Sequence, residues 1–160
     1  MWAVWGELVV VAPTEWYEFK AYRQDGSLAR IVRRENDVRS PTQADLDGYR
    51  AAEAPEGELA NFARNRLAAW NALPLAESFP AISAIEVDLL DNLWVREYNL
   101  PGEEGRALWT VFDADGLVLG FVETPPALVV YEIGDDYILG KVRDELGVEY
   151  VQVWGLDRSG

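Results

Sequence analysis

Apolar and polar residues alternate in short runs along much of this chain, and turn-forming residues separate the runs. The stretch TVFDADGLVLGFVETP, residues 110–125, shows an alternating run, then Asp115-Gly116, then a second alternating run. Alternation with a period of two is typical of a half-buried strand, and an Asp-Gly pair favours the backbone of a tight hairpin turn. The stretch therefore predicts a β-hairpin.

The hairpin pattern recurs along the chain. FKAYRQDGSLARIV (19–32) aligns with WTVFDADGLVLGFV (109–122), and VQVWGLDR (151–158) aligns with the first half of both. The segments upstream form two further sets of corresponding strands. The first set is GELVVV (6–11), DNLWVRE (91–97) and DDYILGKV (135–142). The second set is WAV (2–4), AISAIEV (81–87) and ALVVYEI (127–133).

The spacing of this repeat predicts the fold class. Asp115 and Asp157 are 42 residues apart, and Asn92 and Asp136 are 44 apart. Units of about 40–45 residues with four strands are typical of β-propeller blades. We therefore expect an all-β fold of about three four-stranded antiparallel blades, with a generic β-sandwich as the alternative. Residues 1–160 would form a single partial propeller unit.

Residues 36–80 break the repeat and predict a helical insertion between the first and second blades. Thr42 and Asp45 are spaced as an N-cap and its capping-box partner, with Asp where Glu is usual. PEGELANFARNRLAAWNALP (55–74) then places apolar residues at helical spacing and ends at Pro74. The insertion is expected to pack as a helical hairpin.

We expect the third unit to have only its first three strands, because the given sequence stops at LDRSG (156–160), where an outer strand would begin. Three blades, one of them incomplete, cannot close a ring, and an open array would leave exposed sheet edges. Two arrangements solve this problem: the chain is half of a longer propeller, or two copies pair as a homodimer that completes six blades. We prefer the homodimer.

Composition narrows the possible chemistry. The chain has 28 acidic and 14 basic residues and a formal net charge of −14, which argues against nucleic acid and anionic membrane as partners. It has no Cys and no His, so Ser-His-Asp and Cys-His catalysis are excluded within it. We expect no cofactor. With no signal peptide before the first strand and no long apolar run, a soluble chain is expected, in an unknown compartment.

The segments DNLWVREYNLPG, WTVFDADGLVLGFVETP and GDDYILGKVRDELGVEYVQVW resemble the C-terminal blades of bacterial six-bladed β-propeller proteins of unknown function. These are distant relatives of the NHL-repeat and TolB-like propellers. The resemblance implies the fold and implies no particular activity. This chain differs from such proteins in lacking their N-terminal half, so a site at the centre of a ring would need a second copy.

Asp113-Ala114-Asp115-Gly116 also resembles the start of a calcium loop. A loop of the EF-hand type needs a Glu at its twelfth position, but Thr124 stands there and apolar strand residues lie between. A turn is the better interpretation, because Asp and Gly are the residues that hairpin turns require. Asp113 and Asp115 remain the weak metal candidates.

The candidate ligand-binding residues lie near strand ends and loops on the face of the blades opposite to the Asp-rich turns. They are Trp16, Arg96, Tyr98, Arg106 and Arg143. Since Arg96 and Glu97 follow Trp94 directly, one of them should point inward, and a buried charge needs a partner. A structural Arg–carboxylate pair between blades is the preferred interpretation. The alternative is an arginine that binds an anionic group of a ligand in a central tunnel.

Two functional hypotheses follow. The preferred one is a non-enzymatic binding or structural propeller module that completes its ring by homo-oligomerisation or within a longer propeller. The alternative is a calcium-dependent hydrolase or lactonase of the six-bladed propeller type, for which Asn92, Asn99 and the Asp residues are the candidate ligands.

Overall fold

The computed structural model describes residues 1–52, 76–100, 103, 105–125 and 127–159, and it contains three antiparallel sheets. The strands of the first sheet are β1 (Trp2–Trp5), β2 (Leu8–Val11), β3 (Glu18–Tyr22) and β4 (Leu28–Arg33). Those of the second are β5 (Ile82–Val87), β6 (Leu93–Glu97), β7 (Ala107–Phe112) and β8 (Val118–Thr124). Those of the third are β9 (Val129–Ile133), β10 (Tyr137–Arg143) and β11 (Glu149–Gly155).

Each sheet is a meander in which every strand pairs with the next one along the chain. The all-β prediction is confirmed, as are the hairpin at residues 110–125 and three units with four, four and three strands. Meanders form here because each connection within a sheet is short enough to return the chain antiparallel to itself.

A compact unit of Asp37–Phe79 and Leu100–Glu103 is separate from the unit that holds the sheets. It contains one described helix, α1 (Gln43–Ala52), within the predicted insertion. The predicted capping box is confirmed: the Asp45 carboxylate accepts from the Thr42 backbone N–H at 2.8 Å, and the Asp45 N–H donates to Thr42 Oγ1 at 3.3 Å. The second predicted helix, at residues 55–74, lies outside the described residues.

One turn design joins the strands of several hairpins. In turns 88–92, 113–117 and 144–148 the first residue is an aspartate, and its Oδ1 accepts from the backbone N–H groups two and four residues later. The fourth residue has a positive φ, which explains Gly116 and Gly147, whereas Asp91 occupies this position at φ 59°. The aspartates thus satisfy turn N–H groups that strand pairing leaves free.

The first two sheets pack face to face around a buried apolar cluster. Phe19 of β3 meets Phe112 of β7 edge to face, with ring centroids 5.2 Å apart. Such a geometry places the positive ring edge against the negative ring face and stabilises the contact beyond simple area burial. The indole N–H of Trp5 also donates to the carbonyl of Asp91 at 2.8 Å, which joins the two sheets at their turn ends.

The second and third sheets enclose a second cluster. Trp94 and Trp109 pack edge to face at 6.4 Å and contact Leu128, Ile133 and Ile138 on the side of the third sheet. Both indole N–H groups are satisfied, by Asp88 for Trp94 and by Thr124 for Trp109. Trp94 and Trp109 therefore pack between the second and third sheets, and their polar partners remove the cost of burying an unpaired indole N–H.

Turn 113–117 also contacts the neighbouring sheet, and two glycines test this contact. Gly26 and Gly116 have φ of +81° and +82°, but a Cβ on Gly116 would lie 2.8 Å from Cγ2 of Val32, whereas one on Gly26 meets nothing within 4 Å. We expect Gly26→Ala to lower the free energy of unfolding by about 1–2 kcal/mol, the cost of a positive φ. Gly116→Ala should cost about 1–3 kcal/mol more because the Val32 side chain or the turn must shift to relieve the close contact. Equal losses in urea denaturation would contradict this packing.

Candidate interaction surfaces

The five predicted ligand-binding residues do not share one site. Arg143 lies at the end of β10 and pairs with Glu149 at 2.5 Å, Trp16 is exposed in the β2–β3 loop, and Tyr98 directly follows β6. Burial lowers the pKa of Arg96, which lies within β6. Arg106 precedes β7 and is the one member of this set that lines the groove described below.

An Arg–carboxylate pair does join two sheets, as expected, but it uses Glu97 and a different arginine. Arg34, just after β4, lies 2.7 Å from Oε1 of Glu97 and donates to Thr110 Oγ1 at 2.8 Å. Its guanidinium also stacks over the ring of Tyr17 at 4.7 Å. The sequence offered no signal for the polar contacts of Arg34, because Glu97 and Thr110 are more than 60 residues away along the chain.

Asp113 and Asp115 are engaged in the turn of the β7–β8 hairpin. Asp113 accepts the turn N–H groups of Asp115 and Leu117 at 2.9 and 2.8 Å, and the Asp115 carboxylate lies 3.5 Å from Arg30. Within the described ranges, no group of three or more acidic side chains is arranged to hold a metal ion.

Asp88 is the most buried carboxylate among the described residues that carry the turn design. Its side chain accepts from Asn92 and Trp94, and Arg158 approaches it at 2.9 Å from beyond β11. Arg158 donates as well to the carbonyls of Gly134 and Asp135. This cluster joins the second and third sheets at the same end as the Trp5–Asp91 contact.

The repeat makes it possible to compare equivalent faces of the three sheets. We call the forward face of a sheet the one that carries Phe19 and Ala21 in the first sheet, Trp109 and Val111 in the second, and Val151 and Val153 in the third. The rear face is the opposite one. The forward face of each of the first two sheets is covered by the rear face of the sheet that follows.

The forward face of the third sheet is uncovered in the described structure. Phe19 and Trp109 are 1% and 2% exposed, but Val151, at the same position in the repeat, is 69% exposed. Val153 is 67% exposed where Ala21 and Val111 are buried. The third sheet therefore presents to solvent the apolar pattern that the other two sheets bury.

The rear face of the first sheet is also apolar and exposed. Trp2 pairs with Val11 and Val4 pairs with Val9 across β1 and β2, so the four side chains share one face. All four are exposed. On the same face, Lys20 of β3 lies between Val11 and the exposed Ile31 of β4. Contiguous apolar patches of this kind on a folded surface mark interaction sites.

A groove of about 480 Å³ runs between β8 and β11. Its apolar lining includes Val122, Leu128, Ile138, Trp154 and Leu156. Arg106 and Glu123 form part of its polar rim, with their charged groups 3.9 Å apart.

No family model, curated protein or solved structure matches this chain in comparisons with known proteins. Over the described part of the chain, no helix has the length and apolar character needed to cross a membrane. The interaction surfaces are therefore interpreted from their own geometry.

Proposed function

We propose that this protein is a non-enzymatic structural or binding module whose three sheets are blades of a β-propeller. Two copies would complete a six-bladed ring, with the forward face of the third sheet of each copy covered by the rear face of the first sheet of the other. One two-fold axis generates both contacts, so the assembly is closed. Within a longer propeller, neighbouring blades would cover the same two faces.

The observation that carries the proposal is the exposure of Val151 and Val153 at repeat positions that are buried in the other two sheets. Trp2, Val4 and Val11 make the rear face of the first sheet apolar. Within the chain, the forward faces of the first two sheets are likewise covered by apolar rear faces. Burying both patches removes apolar surface from water, which is the main driving force of stable association.

A role in binding also fits the composition. The chain has no His or Cys, and two of its candidate arginines, Arg106 and Arg143, lie beside the carboxylates of Glu123 and Glu149. A ring of such blades acts through the surfaces that it presents and through whatever its central channel admits.

The test is the mass in solution. At micromolar concentration, sedimentation or light scattering should give twice the chain mass of 18.0 kDa. Val153→Glu places a charge on the forward face and should give monomers, whereas Leu146→Glu, in an exposed turn outside both faces, should leave the dimer intact. A monomeric wild-type chain at that concentration would contradict ring closure by self-association.

A further inference from the structure

We propose that the free edge of β11 and the adjoining groove bind an extended apolar segment of another polypeptide, which becomes the fourth strand of the third sheet. The proposal concerns the edge and groove of this sheet, not its forward face. It therefore stands whether or not two copies close a ring.

The first two sheets show what is missing from the third. β4 pairs with β3 in the first sheet and β8 pairs with β7 in the second, through registers of five and six residue pairs. β11 aligns with β3 and β7 in the repeat and pairs with β10 on one side. In the described ranges no strand lies on its other side, so backbone N–H and C=O groups there are available to an incoming strand.

The groove supplies side-chain pockets for that strand. Trp154 is 43% exposed at the repeat position where Phe112 is 2% exposed. The forward side of β8, including Val122, lines the opposite wall. A strand paired with β11 would place alternate side chains between these walls, which would cover Trp154 and Leu156.

The pattern of the existing fourth strands defines the occupant. In β8, Val122 pairs with Trp109 on the forward side and Phe121 pairs with Thr110 on the other. A fourth strand of the same pattern in the third sheet would carry apolar side chains on both sides. Arg106 lies beside Glu123 at the groove, so Asp157 and the net charge of −14 are what favour a segment with neutral or basic flanks.

A separate polypeptide suits this site better than a second copy. Every strand among the described residues of this chain is already paired within a sheet. An edge strand of a second copy would bring its own neighbouring strand and sheet with it. A flexible segment has no attached sheet, so it can enter the groove without steric obstruction.

The probe is a labelled synthetic peptide with the sequence of residues 116–125, GLVLGFVETP, extended by two lysines for solubility. Fluorescence anisotropy should show saturable binding to the wild-type chain, and a scrambled peptide of the same composition should not bind. Hydrogen exchange should slow upon binding in residues 149–155, because edge pairing protects backbone amides.

Two variants locate the site. Trp154→Ala should weaken peptide binding by at least about fivefold, as expected for an aromatic anchor in a pocket. Trp2→Lys, on the rear face of the first sheet, should leave binding unchanged. Equal affinity for the scrambled peptide, loss of binding in Trp2→Lys, or protection outside residues 149–155 would each overturn the proposal. So would a dimer that Trp154→Ala dissociates, because a second copy would then occupy the edge.

Discussion

Asp88→Ala is expected to lower the free energy of unfolding by about 3–5 kcal/mol, a large share of the stability of a typical domain. The carboxylate accepts five hydrogen bonds, from three backbone and side-chain donors within turn 88–92 and from Trp94 and Arg158. Without it, the buried Trp94 N–H loses its partner and the guanidinium of Arg158 loses its counter-charge. Urea denaturation followed by tryptophan fluorescence measures the loss.

Asp144→Ala is the matched control for this prediction. Asp144 begins the same kind of turn and accepts from the N–H groups of Leu146 and Val148, but it is exposed and joins no second sheet. We expect this variant to cost about 1 kcal/mol, the value of local turn hydrogen bonds. Similar losses in the two variants would show that Asp88 acts only within its turn.

The pH dependence of stability gives an independent measurement on Asp88. Burial by itself would raise the pKa of this carboxyl, but hydrogen bonds from Asn92, Trp94 and Arg158 outweigh burial, and the net pKa is lowered. The folded state therefore binds the proton less tightly than the unfolded state. The stabilisation is present above the unfolded pKa of about 3.9 and is lost as pH falls through the folded value. Asp88→Asn should remove this part of the acid-induced loss.

Phe112→Ala is expected to cost about 3–5 kcal/mol, because it leaves a cavity between the first two sheets and removes the edge-to-face contact with Phe19. Trp154→Ala truncates a larger side chain at the equivalent position of the repeat. It should cost about 1 kcal/mol or less, because Trp154 is 43% exposed in the open groove and is not packed into a core.

Thermal or urea denaturation of the two variants, measured on chains kept monomeric by Val153→Glu, separates local packing from any effect of association. A loss for Trp154→Ala as large as that for Phe112→Ala would mean that Trp154 is packed as tightly as its counterpart. The conclusion that the groove beside β11 is open to solvent would then be wrong.

Much of the local structure could be predicted from the sequence. Period-two alternation with Asp-Gly gave the β7–β8 hairpin, because side chains on a strand point alternately to its two faces and Gly tolerates a positive φ. The Thr42–Asp45 spacing gave the start of α1 for a similarly local reason. These features depend on residues within a few positions of one another.

The partners of charged residues could not be predicted in this way. The sequence indicated that Arg96 or Glu97 would need a partner, but it did not indicate that Arg34 supplies it for Glu97. Asp88 resembled any other turn aspartate, although Arg158 lies 70 positions away in sequence and 2.9 Å away in space. Contacts between sheets depend on which faces stack, and alternation alone leaves this open.

The sequence by itself determined the strands, their turns and their grouping into three repeats, because hydrophobic period and turn chemistry act over short stretches of chain. Only the tertiary structure decided which face of each strand is buried. Trp109 and Val151 occupy the same position of the repeat, yet one lies between two sheets and the other faces solvent. The physical reason is that burial depends on the next sheet in the stack, and the described structure contains no next sheet for Val151.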